Sequence, residues 1–169
     1  MWKEGFRLFN YDTRIDAQSF VLVSVGAVIA LLVYCLLFPP KRHPRAFLKF
    51  LLAEYAVIVL LVTVVLRDKV AFPESYRFSF WGEKSKIIEN GLSEMVANIL
   101  LFVPFGLLAY AILNKCRWSE IFLVGVAFSL AIELLQFLLQ RGVADVNDVI
   151  FNCIGFVVGC FCWQVVKLF

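Results

Sequence analysis

The chain has a single histidine in 169 residues, His43. It lies in the basic stretch Pro40-Lys41-Arg42-His43-Pro44-Arg45, where it reads as a solvated loop residue. It has no catalytic partner there, and the sequence shows no serine–histidine pair and no His–Glu metal spacing. No glycine-rich phosphate loop is present either. Charged residues are also scarce, at 17%, against 62% hydrophobic residues. A soluble domain of this length has too little interior to hide so much apolar surface, so the class is integral membrane. The five cysteines, at 35, 116, 153, 160 and 162, are scattered through apolar runs. Cys160-x-Cys162 lacks the two-residue gap of a zinc or redox pair, and on a helix its thiols point to different faces. They read as small packing residues. There is no internal repeat and no low-complexity tract. The first apolar run starts near Gln18, with no small-residue cleavage site after it, so no secretory signal is expected. Nothing in these patterns calls for a cofactor, a metal ion or nucleic acid.

What is there is apolar sequence in lengths that suit a bilayer. A hydrocarbon core of about 30 Å takes about 20 apolar residues in a helix. Five stretches qualify, about 19–38, 47–66, 95–113, 121–139 and 149–168. Pro39-Pro40 stops the first, since proline cannot donate to a helix and disfavours helix before it. The fold class predicted is all-α, a polytopic membrane bundle of about five transmembrane helices. Residues 1–18 form a polar-aromatic lead-in that suits an interfacial helix, and 19–169 form a single transmembrane domain. Residues 67–94 are the one long connection.

Lysine and arginine in short loops set the orientation. Five spans put the first connection, the third connection and the C-terminus on one side. These hold Lys41, Arg42, Arg45, Lys49, Lys115, Arg117 and Lys167 against the single acid Glu120. That side is therefore expected in the cytoplasm, and the net charge of +3 reads as a topology signal. The N-terminus, residues 67–94 and residues 140–148 face outward.

Against this apolar background stand a few polar side chains, and ionisable groups inside a bilayer point to function by default. Glu94 and Asn98 open the third span. Glu133 and Gln136 lie in the last turns of the fourth, with Ser129 four residues before Glu133, so the three share one helix face. Arg141 follows in the loop. Asp145, Asp148 and Asn152 begin the fifth span. All these groups come to the same membrane side, whichever way the bundle is oriented. Glu133 should face the bundle and meet a donor, with Asn98 and Arg141 as candidates by depth. Interhelical hydrogen bonding alone would also explain the Glu133 and Gln136 pair. Asp145 makes a good N-cap and Asp148 suits the helix dipole. Capping does not explain Asn152, which precedes the small-xxx-small pair Gly155 and Gly159, a pattern for close helix packing. Pro104 and Gly106 sit mid-span in the third helix and predict a bend. Glu54 stands alone in the second span. In the long connection, Arg77 lies among Tyr76, Phe78, Phe80 and Trp81, a setting for an aromatic belt or for a guanidinium that forks to an anion.

The run Glu94-x-x-x-Asn98-Ile-Leu-Leu-Phe-Val-Pro104-Phe-Gly106, then Glu133-x-x-Gln136, then Arg141-x-x-x-Asp145-x-x-Asp148-x-x-x-Asn152-x-x-Gly155 resembles the VanZ-like family. Thr63-x-x-x-Arg67 and Arg77-Phe-Ser-Phe are similar to the family's second-helix end and its loop. The likeness covers roughly residues 55–162. The loop departs from the usual Asn-Leu-x-Pro-Phe, reading Phe78-Ser79-Phe80-Trp81 here. The resemblance implies a multi-pass protein of the bacterial cytoplasmic membrane, in a family some of whose members lower susceptibility to teicoplanin-type glycopeptides.

Three functions fit these residues. The first is a non-enzymatic protein with an outward polar pocket built from Glu94, Asn98, Glu133, Gln136, Arg141, Asp145, Asp148, Asn152 and Arg77. Its partners would be membrane lipids, a cell-wall precursor or the glycopeptide itself. The second is a carboxylate-based enzyme acting on a lipid-linked substrate, with Glu133 and Asp145 or Asp148 as base and acid. The third is a lipid transporter, for which a chain this small shows no repeat halves. The sequence leaves the oligomeric state open.

Overall fold

A computed structural model describes residues 17–38, 41, 43–67, 69, 76–77 and 92–167. The N-terminal lead-in up to residue 16 and most of the connection between 67 and 94 lie outside the described residues. Among the described residues five α-helices make the bundle. They are α1 (Ala17–Leu37), α2 (Pro44–Leu60), α3 (Leu92–Leu113), α4 (Trp118–Leu139) and α5 (Val146–Val166). A π-helical turn, Leu61–Val65, extends α2. Among the described residues four helical stretches are long and apolar enough to cross a membrane: Pro44–Val65, Met95–Leu113, Trp118–Leu139 and Val146–Val166. In α1 the apolar stretch is Val25–Cys35.

The boundaries follow local chemistry rather than hydropathy. Helix α2 starts at Pro44, three residues before the expected position, because proline at the first helical position gives up no hydrogen bond and is preset for helix. Helix α4 starts at Trp118, where the Glu120 carboxylate accepts the Arg117 N–H at 3.1 Å and satisfies an orphan donor. Helix α5 starts at Val146 instead of 149, because Asp145 caps it. An element not expected from the sequence is a two-residue parallel pair, β1 (Tyr76–Arg77) beside β2 (Ala144–Asp145), with Tyr76 opposite Ala144 and Arg77 opposite Asp145.

The closest pairing is α3 with α5, which run parallel. A Cβ added to Gly155 would strike the Ile99 carbonyl, and one on Gly159 would strike that of Val103. A Cβ on Gly106 would strike the Phe156 backbone from the other side. With lipid as apolar as the side chains, helix association rests on such close van der Waals packing. Phe156 is fully buried, with its backbone on Gly106 and its ring over Gly125. Phe102, Phe105 and Phe128 continue the core, with Phe105 and Phe128 stacked at 4.4 Å between centroids. Helix α3 runs unbroken through Pro104, whose side chain faces outward. Nearby carbonyls find donors elsewhere: Tyr55 Oη donates to Leu101 O at 2.7 Å and Cys160 Sγ to Gly106 O at 3.4 Å. Cys160 is buried and Cys162 exposed, as their spacing requires.

Candidate functional site

The polar residues gather at the end of the bundle where α2 and α4 finish and α5 begins. The π-turn of α2 is the first component. It closes with the Leu66 N–H donating to Leu61 O at 2.8 Å. Wide turns and helix ends take carbonyls out of the regular ladder, and within a membrane those carbonyls need donors from elsewhere. Thr63 Oγ1 donates back to Val59 O at 2.7 Å, while the Thr63 carbonyl accepts from Gln136 Nε2 at 2.8 Å. Arg141 Nη1 serves the next carbonyls, Val65 O at 2.6 Å and Arg67 O at 3.2 Å. Gln136 and Arg141 therefore tie the end of α4 to the end of α2.

The turn between α4 and α5 sets Arg141 in reach. Gln140 takes the left-handed conformation at φ 50° and ends α4, with its N–H donating to Gln136 and Phe137 carbonyls. Gly142 follows at φ 75°, which favours glycine. A Cβ there would also lie 3.1 Å from Arg67 Cδ. Lys69 and Arg141 form an isolated antiparallel bridge, and β2 then carries the chain beside Tyr76–Arg77 into α5.

Two polar layers fill the antiparallel seam between α4 and α5. In the upper layer Glu133 Oε2 accepts the Asp145 N–H at 2.7 Å. Asp145 Oδ1 in turn accepts the Asn147 N–H at 2.9 Å and its Nδ2 at 3.0 Å, fixing the start of α5. Among the described residues, Asp145, Asp148 and Arg67 are charged groups whose fields reach Glu133. One turn deeper on each helix, Asn152 Nδ2 donates to Ser129 Oγ at 2.9 Å, both residues being buried. Among the described residues two buried acceptors in this region have no hydrogen-bond partner: Gln136 Oε1 and Asn152 Oδ1. Unfilled buried acceptors are costly, so a donor that completes them would be favoured.

Glu133, Gln136, Arg141, Asp145, Asp148 and Asn152 thus share one end of the bundle. The donor expected for Glu133 from Asn98 or Arg141 is instead the Asp145 backbone. Arg141 is occupied by the carbonyls that the end of α2 exposes, and half-buried Asn98, on α3, makes no hydrogen bond among the described residues. Glu94 lies in the first turn of α3, and its side chain is outside the described residues, as is that of Arg77. The Arg77 backbone is placed opposite Asp145. Sequence reasoning passed over Gly142 and Asn147. The signal for Gly142 was its position just after the last apolar turn, where glycine ends helices. Glu54 has an unpartnered buried Oε1 on α2, which leaves it as isolated as its spacing suggests. Among the described residues no group of three or more His, Cys, Asp or Glu side chains could hold a metal ion.

A family model described as VanZ/LLP1 matches residues 25–167. Over 62 residues the chain is 36% identical to Protein VanZ of Enterococcus faecium, a match covering 37% of this chain and 38% of that protein. The chain therefore spans well under half the length of this curated relative. No solved structure matches.

Proposed function

The chain belongs to the VanZ/LLP1 family, and we propose that it is a non-enzymatic protein of the bacterial cytoplasmic membrane that contributes to resistance against teicoplanin-type glycopeptides. Its site is the α2–α4–α5 end of the bundle, facing outward, and its ligand is a lipid headgroup, a cell-wall precursor or the glycopeptide. The observation that carries this reading is the pair of unfilled acceptors, Gln136 Oε1 and Asn152 Oδ1, beside a Glu133 carboxylate already oriented by the Asp145 N–H. A structural seam alone would close on itself, as the Thr63 and Val65 carbonyls do. Arg141 has five N–H donors, and only Nη1 is used among the described residues, so its remaining face suits an anionic group. Glycopeptides act on precursors at the outer surface, and the basic residues of the short loops support an outward position for this end of the bundle.

The test is glycopeptide susceptibility of cells expressing the wild type, Glu133→Ala or Asp148→Asn. Expression of the wild type should raise the inhibitory concentration above that of empty cells, and both variants should lose most of the increase at equal membrane abundance. Wild-type cells as susceptible as empty ones remove the resistance reading for this chain.

A further inference from the structure

The end of the bundle opposite Glu133 and Gln136 carries a separate set of features. The turn between α3 and α4 exposes Lys115 and Arg117, and Lys167 follows α5 on the same surface. Glu120, the acid that the loop sequences place here, is spent on the Arg117 N–H. Neither Lys115 nor Arg117 forms an ion pair among the described residues. Next to Arg117, Trp118 opens α4 and joins three helices. Its ring lies 5.3 Å from that of Tyr110 on α3 and 5.6 Å from that of Phe161 on α5. Trp118 is 43% exposed and Phe161 54%, so the bridge between them faces lipid. A tryptophan at a helix start beside two cations sits at the depth of lipid headgroups.

From this aromatic bridge an open apolar groove of about 470 Å³ runs into the bilayer. It follows α5 from Val158 past Cys153 to Val149, with Phe122 of α4 beside it. Phe122 is one turn from Trp118, and Val158 is three residues from Phe161, so groove and bridge share the same helix faces. From Val158 to Val149 the groove extends about 14 Å at 1.5 Å per residue. That is close to half of a hydrocarbon core of about 30 Å, the depth of one leaflet. A groove that starts under a headgroup-level tryptophan and ends one leaflet deeper has the length of an acyl chain. We propose that this face binds an anionic phospholipid of the leaflet at the basic-loop surface. Its phosphate lies at Lys115 and Arg117, and an acyl chain passes Trp118 and Phe161 to lie along α5 against Phe122. Arginine forks to phosphate oxygens and lysine adds a point charge. A zwitterionic head brings the same phosphate with a cation attached, so the two basic side chains discriminate against it. The lipid site lies at the other end of the bundle from the resistance site and does not rest on that reading.

The test titrates the full-length protein in detergent with phosphatidylglycerol or phosphatidylcholine of identical acyl chains, followed by native mass spectrometry. Phosphatidylglycerol should bind at least about ten-fold tighter, the effect of two basic side chains near its phosphate. Equal binding of the two lipids overturns the proposal. Lys115→Gln with Arg117→Gln keeps the Arg117 N–H for Glu120, so this double variant should melt like the wild type while losing most of the preference. Lys41→Gln with Arg45→Gln removes the same charge from the first connection and should keep the preference. A preference that survives the first pair, or that both pairs reduce alike, overturns the site as a local one. Ile154 lines the groove and is 44% exposed, so Ile154→Trp fills the groove from the lipid side. It should weaken both lipids at least about five-fold and leave their ratio unchanged, and unaltered affinity overturns the acyl-chain seat. Glycerol phosphate, which has the charge without the chains, should bind far more weakly than the lipid, and equal binding overturns the same part. A protein dimer that carries no lipid assigns the groove to a second copy and overturns the proposal.

Discussion

At the scale of single residues, the polar side chains divide by what they hold. Gln136 and Arg141 hold α2, Asp145 starts α5, and Glu133 fixes Asp145. The orientation of the Gln136 amide decides whether its oxygen is open to the seam, and substitution can read it. Gln136→Met keeps the volume and removes the Nε2 bond, leaving the Thr63 carbonyl unpaired, at a cost of about 1–2 kcal/mol. Gln136→Glu puts an oxygen against that same carbonyl and should lower the thermal midpoint further than Gln136→Met. Detergent-solubilised protein followed by intrinsic fluorescence would show the order. If Gln136→Glu melts at or above Gln136→Met, the amide is turned the other way. The identity of these residues was legible, because a carboxamide or carboxylate stands out in apolar sequence. Their partners were not. The Glu133 donor is a backbone N–H, and the Gln136 and Arg141 acceptors are backbone carbonyls, groups that every residue carries and no sequence pattern marks.

At the scale of elements, the helices were legible in number and order, but their ends were set by caps that hydropathy does not weigh. The π-turn was invisible: Leu61-Val62-Thr63-Val64-Val65 reads as continuous apolar helix, and only packing against α4 reveals which carbonyls it frees. The close contact of α3 and α5 was partly legible. Gly155 and Gly159 announced a close neighbour, but not that the neighbour is α3 at Ile99 and Val103. This contact makes a sharp prediction. Gly155→Ala drives a methyl into the Ile99 backbone, which cannot yield as a flexible side chain would. The expected destabilisation is on the order of 1–3 kcal/mol. Gly26→Ala is the control, since a Cβ there meets nothing within 4 Å. Thermal unfolding of the two variants should differ clearly, with Gly26→Ala at or slightly above wild type because alanine is the better helix former. Equal midpoints would mean that α3 and α5 do not approach this closely.

At the scale of the whole molecule, the site has meaning only at one membrane surface. Helix α2 and its π-turn cover Pro44–Val65, 22 residues, or about 33 Å at 1.5 Å per residue, enough to cross the hydrocarbon core. His43 precedes this span and Lys69 follows it, and both are exposed, so they report opposite surfaces. The basic residues Lys41, Arg45, Lys49, Lys115 and Arg117 cluster at the His43 end, with Lys167 at the end of α5. Lysine and arginine are retained on the cytoplasmic side, so Lys69 and the polar end of the bundle should lie outside. A cysteine-free background requires replacing Cys35, Cys116, Cys153, Cys160 and Cys162, of which Cys160 should become serine to keep a donor for Gly106 O. In that background Lys69→Cys should react with a membrane-impermeant maleimide in intact cells. His43→Cys should react only after permeabilisation. The reverse pattern would invert the bundle and place Glu133, Asp145 and Arg141 at the cytoplasmic surface. Outer-leaflet precursors and glycopeptides would then be out of reach.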